Sequence, residues 1–202
     1  SDTPAKMPEI VSGMLLRGIV GMLYSDGGTG KSTFSLWMAV RIALACQIQI
    51  KIFGHNVNGG AVAILTAEDP DLILNDRLVS VMQDAAKEYN LEYEYIRNLV
   101  YEHLFIGSTF GKPVQLFELN GSVLEKTPYF ESLIDRLTVM DNLQMVFVDT
   151  KARFSPGEGG GNVIAAQEIA HYETIVVACN ATVFLLHHTN KISRSGRTPG
   201  SQ

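Results

Sequence analysis

The chain alternates between short, continuously apolar runs and longer amphipathic stretches. Residues 19–24 (IVGMLY) are apolar throughout, a glycine-rich segment follows over 25–30, and Leu36, Val40 and Leu44 then recur at helical spacing from Lys31 to about Cys46. That order predicts strand, loop, helix. After a turn at Asn56, Asn58, Gly59 and Gly60, the run 61–65 (AVAIL) suits a strand buried on both faces of a parallel sheet. Pro70 marks the start of a helix carrying Leu74, Leu78, Val81, Met82 and Ala85, which turns polar near Glu88.

Residues 99–107 and 114–119 predict strands flanking a turn at Gly111 and Pro113, as an antiparallel insertion at the sheet edge. Phe130, Leu133, Ile134, Leu137 and Met140 predict another helix, feeding a strand over 145–148 that ends on Asp149. A glycine-rich loop (156–161), a helix from about Val163 to Cys179, and a strand over 182–186 ending on His187 and His188 complete the pattern. Alternating strands and helices predict an α/β fold, a mainly parallel sheet flanked by helices on both faces.

At 202 residues the chain has the length of one large domain, and we expect a single one over 1–202. Within it, 1–15 reads as an N-terminal extension, 99–125 as a β insertion, and 189–202 as a basic loop at an incomplete C-terminal end. The formal net charge of -5 provides no global field to gather a polyanion, so any contact with nucleic acid must be local. Cys46 and Cys179 stand alone, without a CxxC pair, and are expected to be core thiols in a reducing compartment. The longest apolar stretches are broken by Arg41 and Asn180 and fall short of the roughly 20 residues of a membrane span, and the opening SDTPAKMPEI lacks the features of a secretion signal. A cytoplasmic location without membrane attachment is the expectation.

The chemistry concentrates first in Ser25-Asp26-Gly27-Gly28-Thr29-Gly30-Lys31-Ser32. Between a buried strand and a helix, such a loop turns successive backbone N–H groups into one concavity, and the helix N-terminus adds its partial positive charge there. The candidate nucleotide-binding residues are Gly27, Gly28, Thr29, Gly30, Lys31, Ser32 and Thr33, with Lys31 on the β- and γ-phosphates and Ser32 as a Mg²⁺ ligand. The strict pattern places glycine where this chain has Ser25.

A triphosphatase also needs one carboxylate for the Mg²⁺ shell and another to orient the attacking water, both near the loop. Asp149, ending the run MVFVD, and Glu68, in TAEDP after the second strand, occupy such positions. Asp69, next to Pro70, reads as a helix cap. Because strand residues alternate faces, only one of His187 and His188 can point at a nucleotide, and His188 is the candidate sensor of the γ-phosphate. Two adjacent histidines without further ligands nearby do not make a zinc site. Trp37 and Phe34 read as core rather than as adenine-stacking residues, and Tyr89, Tyr93, Tyr95 and Tyr101 gather in a segment that suits a subunit surface and a solvated amphipathic face equally.

The order GGTGKS, ILTAEDP, MVFVDTKARF and VFLLHHTNK resembles the RecA-like ATPase core, and within it the plasmid-encoded RepA family of hexameric replicative DNA helicases. The resemblance covers about 19–202, with its specificity in AEDP and FLLHH, and it implies that serine is tolerated at the loop start. It further implies ATP and Mg²⁺ as cofactors, Lys31 and Ser32 as Walker A residues, Asp149 as the Walker B acid, Glu68 as the catalytic glutamate and His188 as a γ-phosphate-responsive residue. By position, the loop after Asp149 and the segment after His188 would face the central channel of a ring, a homo-oligomer of hexameric type. Arg153, Lys191, Arg194 and Arg197 would then contact single-stranded DNA, tracking phosphates without reading bases. RecA-like cores continue into further strands, from which an arginine finger normally reaches the neighbouring subunit.

Three functions compete at this stage. A ring-forming ATP-driven motor on single-stranded DNA leads. An ATP-dependent DNA-binding switch or recombination mediator would use the same core without unwinding. A small-molecule kinase would need an arginine-rich lid, whereas residues 90–125 hold Arg97 as their only arginine.

Overall fold

The computed structural model describes residues 6–156 and 161–188. Its centre is a five-stranded, all-parallel sheet of β3 (Val20–Ser25), β6 (Ala61–Thr66), β7 (Leu104–Ser108), β10 (Leu143–Asp149) and β11 (Thr182–His188), in the spatial order β3-β11-β10-β6-β7.

Alternation along the strands feeds a core on each face. Val62 and Ile64 of β6, Met145 and Phe147 of β10, and Leu186 of β11 face one layer of helices. These are α1 (Lys31–Leu44), α2 (Asp71–Tyr89) and α3 (Tyr93–His103). Ala63 and Leu65, Val146 and Val148, and Val183 and Leu185 face α4 (Pro128–Thr138) and α6 (Gly161–Cys179). The strands therefore carry apolar residues at consecutive positions, because both faces are covered.

Two differences from the sequence expectation concern 99–125. Residues 99–103 belong to α3, where Ile96, Leu99 and Val100 are buried at helical spacing. The helix ends at His103 and β7 begins at Leu104 with no glycine or proline between them, so the apolar pattern merges the two. β7 is a parallel edge strand of the main sheet rather than an antiparallel insertion, because the α2–α3 crossover returns the chain to the same end. The antiparallel ribbon is separate, formed by β8 (Phe117–Asn120) and β9 (Val123–Lys126). It docks through the fully buried Phe117, whose ring packs on Phe130, His171 and Tyr172.

The N-terminal segment is also no mere extension. β1 (Glu9–Val11) pairs with β2 (Leu15–Leu16), Ile10 and Val11 are fully buried, and Val11 bridges Val57 beside the small ribbon of β4 (Lys51–Ile52) and β5 (His55–Asn56). Arg17 donates to the carbonyls of Asn180 at 2.6 Å and Leu143 at 2.9 Å, fastening this segment under the sheet. Cys46 and Cys179 are free and half-buried rather than sealed in the core. No helix among the described residues is long and apolar enough to cross a membrane.

Candidate nucleotide site

The sheet's topology brings its carboxyl ends to one rim, where ligands bind in open α/β sheets. At the β3 end, Gly28 and Gly30 take φ of +75° and +87°, left-handed values that bend the loop and let α1 start directly at Lys31. Gly30 is the cap of α1 and offers no side-chain acceptor, so the first-turn N–H groups at Lys31, Ser32 and Thr33 are presented to an anion. Gly27, Gly28, Thr29 and Gly30 are exposed on the outer wall of this loop.

Lys31 is nearly buried, and its ammonium donates to Ser25 O at 2.9 Å, Ser25 Oγ at 3.0 Å and Asp26 O at 2.9 Å. Ser25 Oγ also pairs with Thr29 Oγ1 at 2.6 Å. This gives the serine that replaces the first glycine a physical role: it holds the lysine and the loop in one arrangement. Phosphate oxygens entering the loop would take over these acceptor positions.

Asp149 ends β10 beneath the loop, 3% exposed. Burial pushes its carboxyl above the ordinary aspartate value, and the negative charges of Glu68 and Asp69 push the same way. A hydrogen bond from the Ser32 hydroxyl and the charge of His188 oppose the shift. Asp149 Oδ1 is buried without a hydrogen-bond partner among the described residues. A buried carboxylate with an unused oxygen, beside a serine hydroxyl, fits Mg²⁺, which keeps most of its waters and takes one or two protein ligands plus phosphates. Among the described residues no group of three or more His, Cys, Asp and Glu gathers as a metal site of its own.

Glu68 lies just beyond β6 and reaches back over the end of β10. His188 Nε2 lies 3.0 Å from its Oε1 and 3.3 Å from its Oε2, and Thr150 Oγ1 donates to Oε1 at 3.1 Å. The β11–β3 register sets His188 opposite Ser25, and a Cβ built at Gly27 would sit 3.8 Å from His188 Nδ1. His188 therefore stands between the glycine-rich loop and the carboxylate. His187, on the other face of the strand, makes an edge contact with the Tyr24 ring.

The structure thus gathers Lys31, Ser32, Asp149, Glu68 and His188 at one rim, with Thr33 exposed on the first turn of α1. A family model described as AAA domain matches residues 1–194. The chain belongs to the AAA domain family. This AAA domain is an α/β P-loop ATPase with a RecA-like parallel sheet, and its family binds nucleotide, typically with Mg²⁺.

Asp69 and Arg153 of the AAA domain depart from the sequence reading. Asp69 does not cap α2, whose cap is Pro70, but forms an ion pair with Arg77 one helical stretch on. Arg153 lies on the short helix α5 (Lys151–Phe154) rather than on a free loop. Lys191, Arg194 and Arg197 lie outside the described residues. Trp37 is half-buried on α1, stacked between Phe34 and Phe53 with the Arg41 guanidinium 4.1 Å over its ring, an arrangement of packing rather than of ligand binding. Thr150 is the residue that sequence reasoning missed. Its position directly after the Asp149 acid was the only available signal.

Proposed function

We propose that this chain is a single RecA-like ATPase domain that acts as a ring-forming motor on single-stranded DNA, a replicative helicase of RepA type working as a hexamer with ATP and Mg²⁺. The observation that carries the reading is the bridge Thr150–Glu68–His188, with His188 set beside Gly27. It links the nucleotide loop to the carboxylate, and β11 leads straight from that bridge into the basic segment 189–202. A motor needs such a link between the γ-phosphate position and a DNA-facing segment.

In this reading Lys31 leaves Ser25 and Asp26 to neutralise β- and γ-phosphate oxygens, while the N–H groups opening α1 cradle them. Ser32 and Asp149 hold Mg²⁺, which when bound spreads the charge that develops on the transferring phosphoryl group. Glu68, its carboxylate fixed by Thr150 and His188, orients the attacking water and accepts its proton. His188 gives up or keeps its Glu68 contact according to what sits beside Gly27, and passes that state along β11. Arg153, Lys191, Arg194 and Arg197 contact DNA phosphates.

ATP turnover with and without single-stranded DNA, run beside mass photometry, tests the reading for the wild type, Lys31→Ala and Glu68→Gln. DNA-stimulated turnover lost in both variants, together with a ring-sized species, supports the motor. Absence of both stimulation and assembly refutes it. Because His188 and Thr150 both hold the Glu68 carboxylate, slow hydrolysis by an ATP-dependent switch is the second reading, and strand displacement on a forked duplex separates the two.

A further inference from the structure

Next to the residue preceding Glu68, the molecule carries an open cleft of about 930 Å³, of whose lining the reading above uses only Arg153. Its walls are the loop 111–115, the start of α4 at Thr127 to Tyr129, and α5 with Ala152 and Arg153, and Ala67 forms its inner end.

The walls are fastened together. Thr109, buried before the loop, receives a turn through its backbone N–H donating to Thr66 O at 2.8 Å. Leu116 N donates to Phe154 O at 2.8 Å, and Thr127 Oγ1 donates to Gln115 O at 2.8 Å. Ala67 N donates to Asp149 O at 3.0 Å. The shape is thus held by backbone bonds to β6, β10 and α5 and by the Thr127 hydroxyl at the start of α4.

The lining combines two exposed cations, Lys112 and Arg153, with the accessible ring of Tyr129 and a single acid, Glu118. In a chain of net charge -5 this is a local excess of positive charge. Cations tracking phosphates beside an aromatic face on which a base can stack are the two elements of sequence-tolerant single-strand binding. The volume lies at the upper end of the roughly 300–1,000 Å³ range of small-ligand sites, and the open side suits a strand passing through.

We propose that this cleft receives a short segment of single-stranded DNA, with a base on Tyr129 and the flanking phosphates on Lys112 and Arg153, and that α5 reports its presence to Glu68. The assignment rests on the single-stranded-DNA reading above and adds to it a site built from the loop 111–115, α4 and α5. α5 is suited to the reporting role. Arg153 faces the cleft, and Thr150, capping the same helix, holds Glu68. Lys151, between them, pairs with the buried Glu168 of α6 at 2.5 Å, so that a push on Arg153 is borne by one short rigid piece.

The test uses the full chain and a fluorescein-labelled oligo-dT in an anisotropy titration at fixed salt. Tyr129→Ala and Lys112→Glu are each expected to weaken binding about tenfold, in line with the cost of losing one stacked base or one phosphate contact, while Tyr129→Phe keeps wild-type affinity. Lys112→Glu is also expected to reduce the slope of log affinity against log salt by about one. On the wild type, a 5-iodouracil-substituted oligonucleotide is expected to photocrosslink within residues 109–130. Unchanged affinity in both variants, or crosslinks confined to other segments, overturns the cleft while leaving the DNA reading intact. Variants that keep oligonucleotide affinity but lose assembly assign the cleft to a neighbouring subunit and also overturn it. A wild type that binds no oligonucleotide removes the DNA reading and the cleft together.

Discussion

Replacing Thr150 by valine isolates the contact that sequence reasoning did not foresee. Thr150 is 1% exposed, and its hydroxyl donates to Glu68 Oε1 at 3.1 Å. Valine keeps the branched shape and deletes the donor, and the backbone bond from Arg153 N to Thr150 O at 3.0 Å is unaffected. A hydrogen bond to a charged group contributes about 1.5–3 kcal/mol, and each 1.36 kcal/mol is tenfold in rate, which bounds the loss at roughly 10- to 150-fold. Glu68 retains His188 and its side chain is 31% exposed, so water replaces part of what is lost and about tenfold is expected. The assay is steady-state hydrolysis over a Mg²⁺–ATP titration. If Thr150 orients Glu68 for attack, kcat falls about tenfold, KM stays within about twofold, and Thr150→Ser, which keeps the hydroxyl, restores most of the rate. A Thr150→Val protein with wild-type kcat, or one whose loss appears only in KM, would refute the argument, as would a serine variant as slow as the valine one.

Three further outcomes are expected. Asp149→Asn should abolish turnover yet raise the melting temperature of the nucleotide-free protein near pH 7 by a few degrees, on the order of 1 kcal/mol, because it removes a buried charge. With the folded carboxyl raised above the ordinary aspartate value, the stability tied to its proton is fully present below that value and lost as pH rises through the folded one. The gap between variant and wild type should therefore close towards pH 4, and a gap independent of pH would refute the assignment. Gly60→Ala places a Cβ 2.3 Å from Asn142 O and should cost about 2 kcal/mol, or roughly 4–8 °C, whereas Gly107→Ala meets Leu65 Cδ1 at an ordinary 3.5 Å and should change stability by less than about 1 kcal/mol; thermal melts compare the two. Glu168→Gln, which removes the ion partner of the partly buried Lys151, should destabilise by about 2 kcal/mol in chemical denaturation, and the Lys151→Met/Glu168→Leu double variant should recover most of it.

How far the sequence could be read differs from element to element, for physical reasons. The apolar runs that became β6, β10 and β11 are legible because a strand covered on both faces admits almost no polar residue, and the glycine-rich segment is legible because left-handed φ at Gly28 and Gly30 demands glycine. The α3–β7 boundary is not legible, since Leu99, Val100 and Leu104 form one apolar pattern whose division at His103 depends on what each side packs against. The docking of residues 9–17 is likewise decided by partners far away, at Val57 for Val11 and at Leu143 and Asn180 for Arg17.

The same division runs through the site. Local sequence determines the loop, Lys31 and Ser32, and the acid that ends β10, because their chemistry is set by neighbours in the chain and by the strand–loop–helix context. Only the tertiary structure decides what Glu68 touches. Thr150 and His188 lie 82 and 120 residues away in sequence and meet it because β6, β10 and β11 are adjacent, parallel and in register at their carboxyl ends. It likewise decides that Arg153 stands on a four-residue helix beside a cleft shared with Lys112 and Tyr129. Composition and spacing carry information about each residue's own backbone and burial. Contacts between residues so far apart are set by strand order and register, which no local pattern encodes.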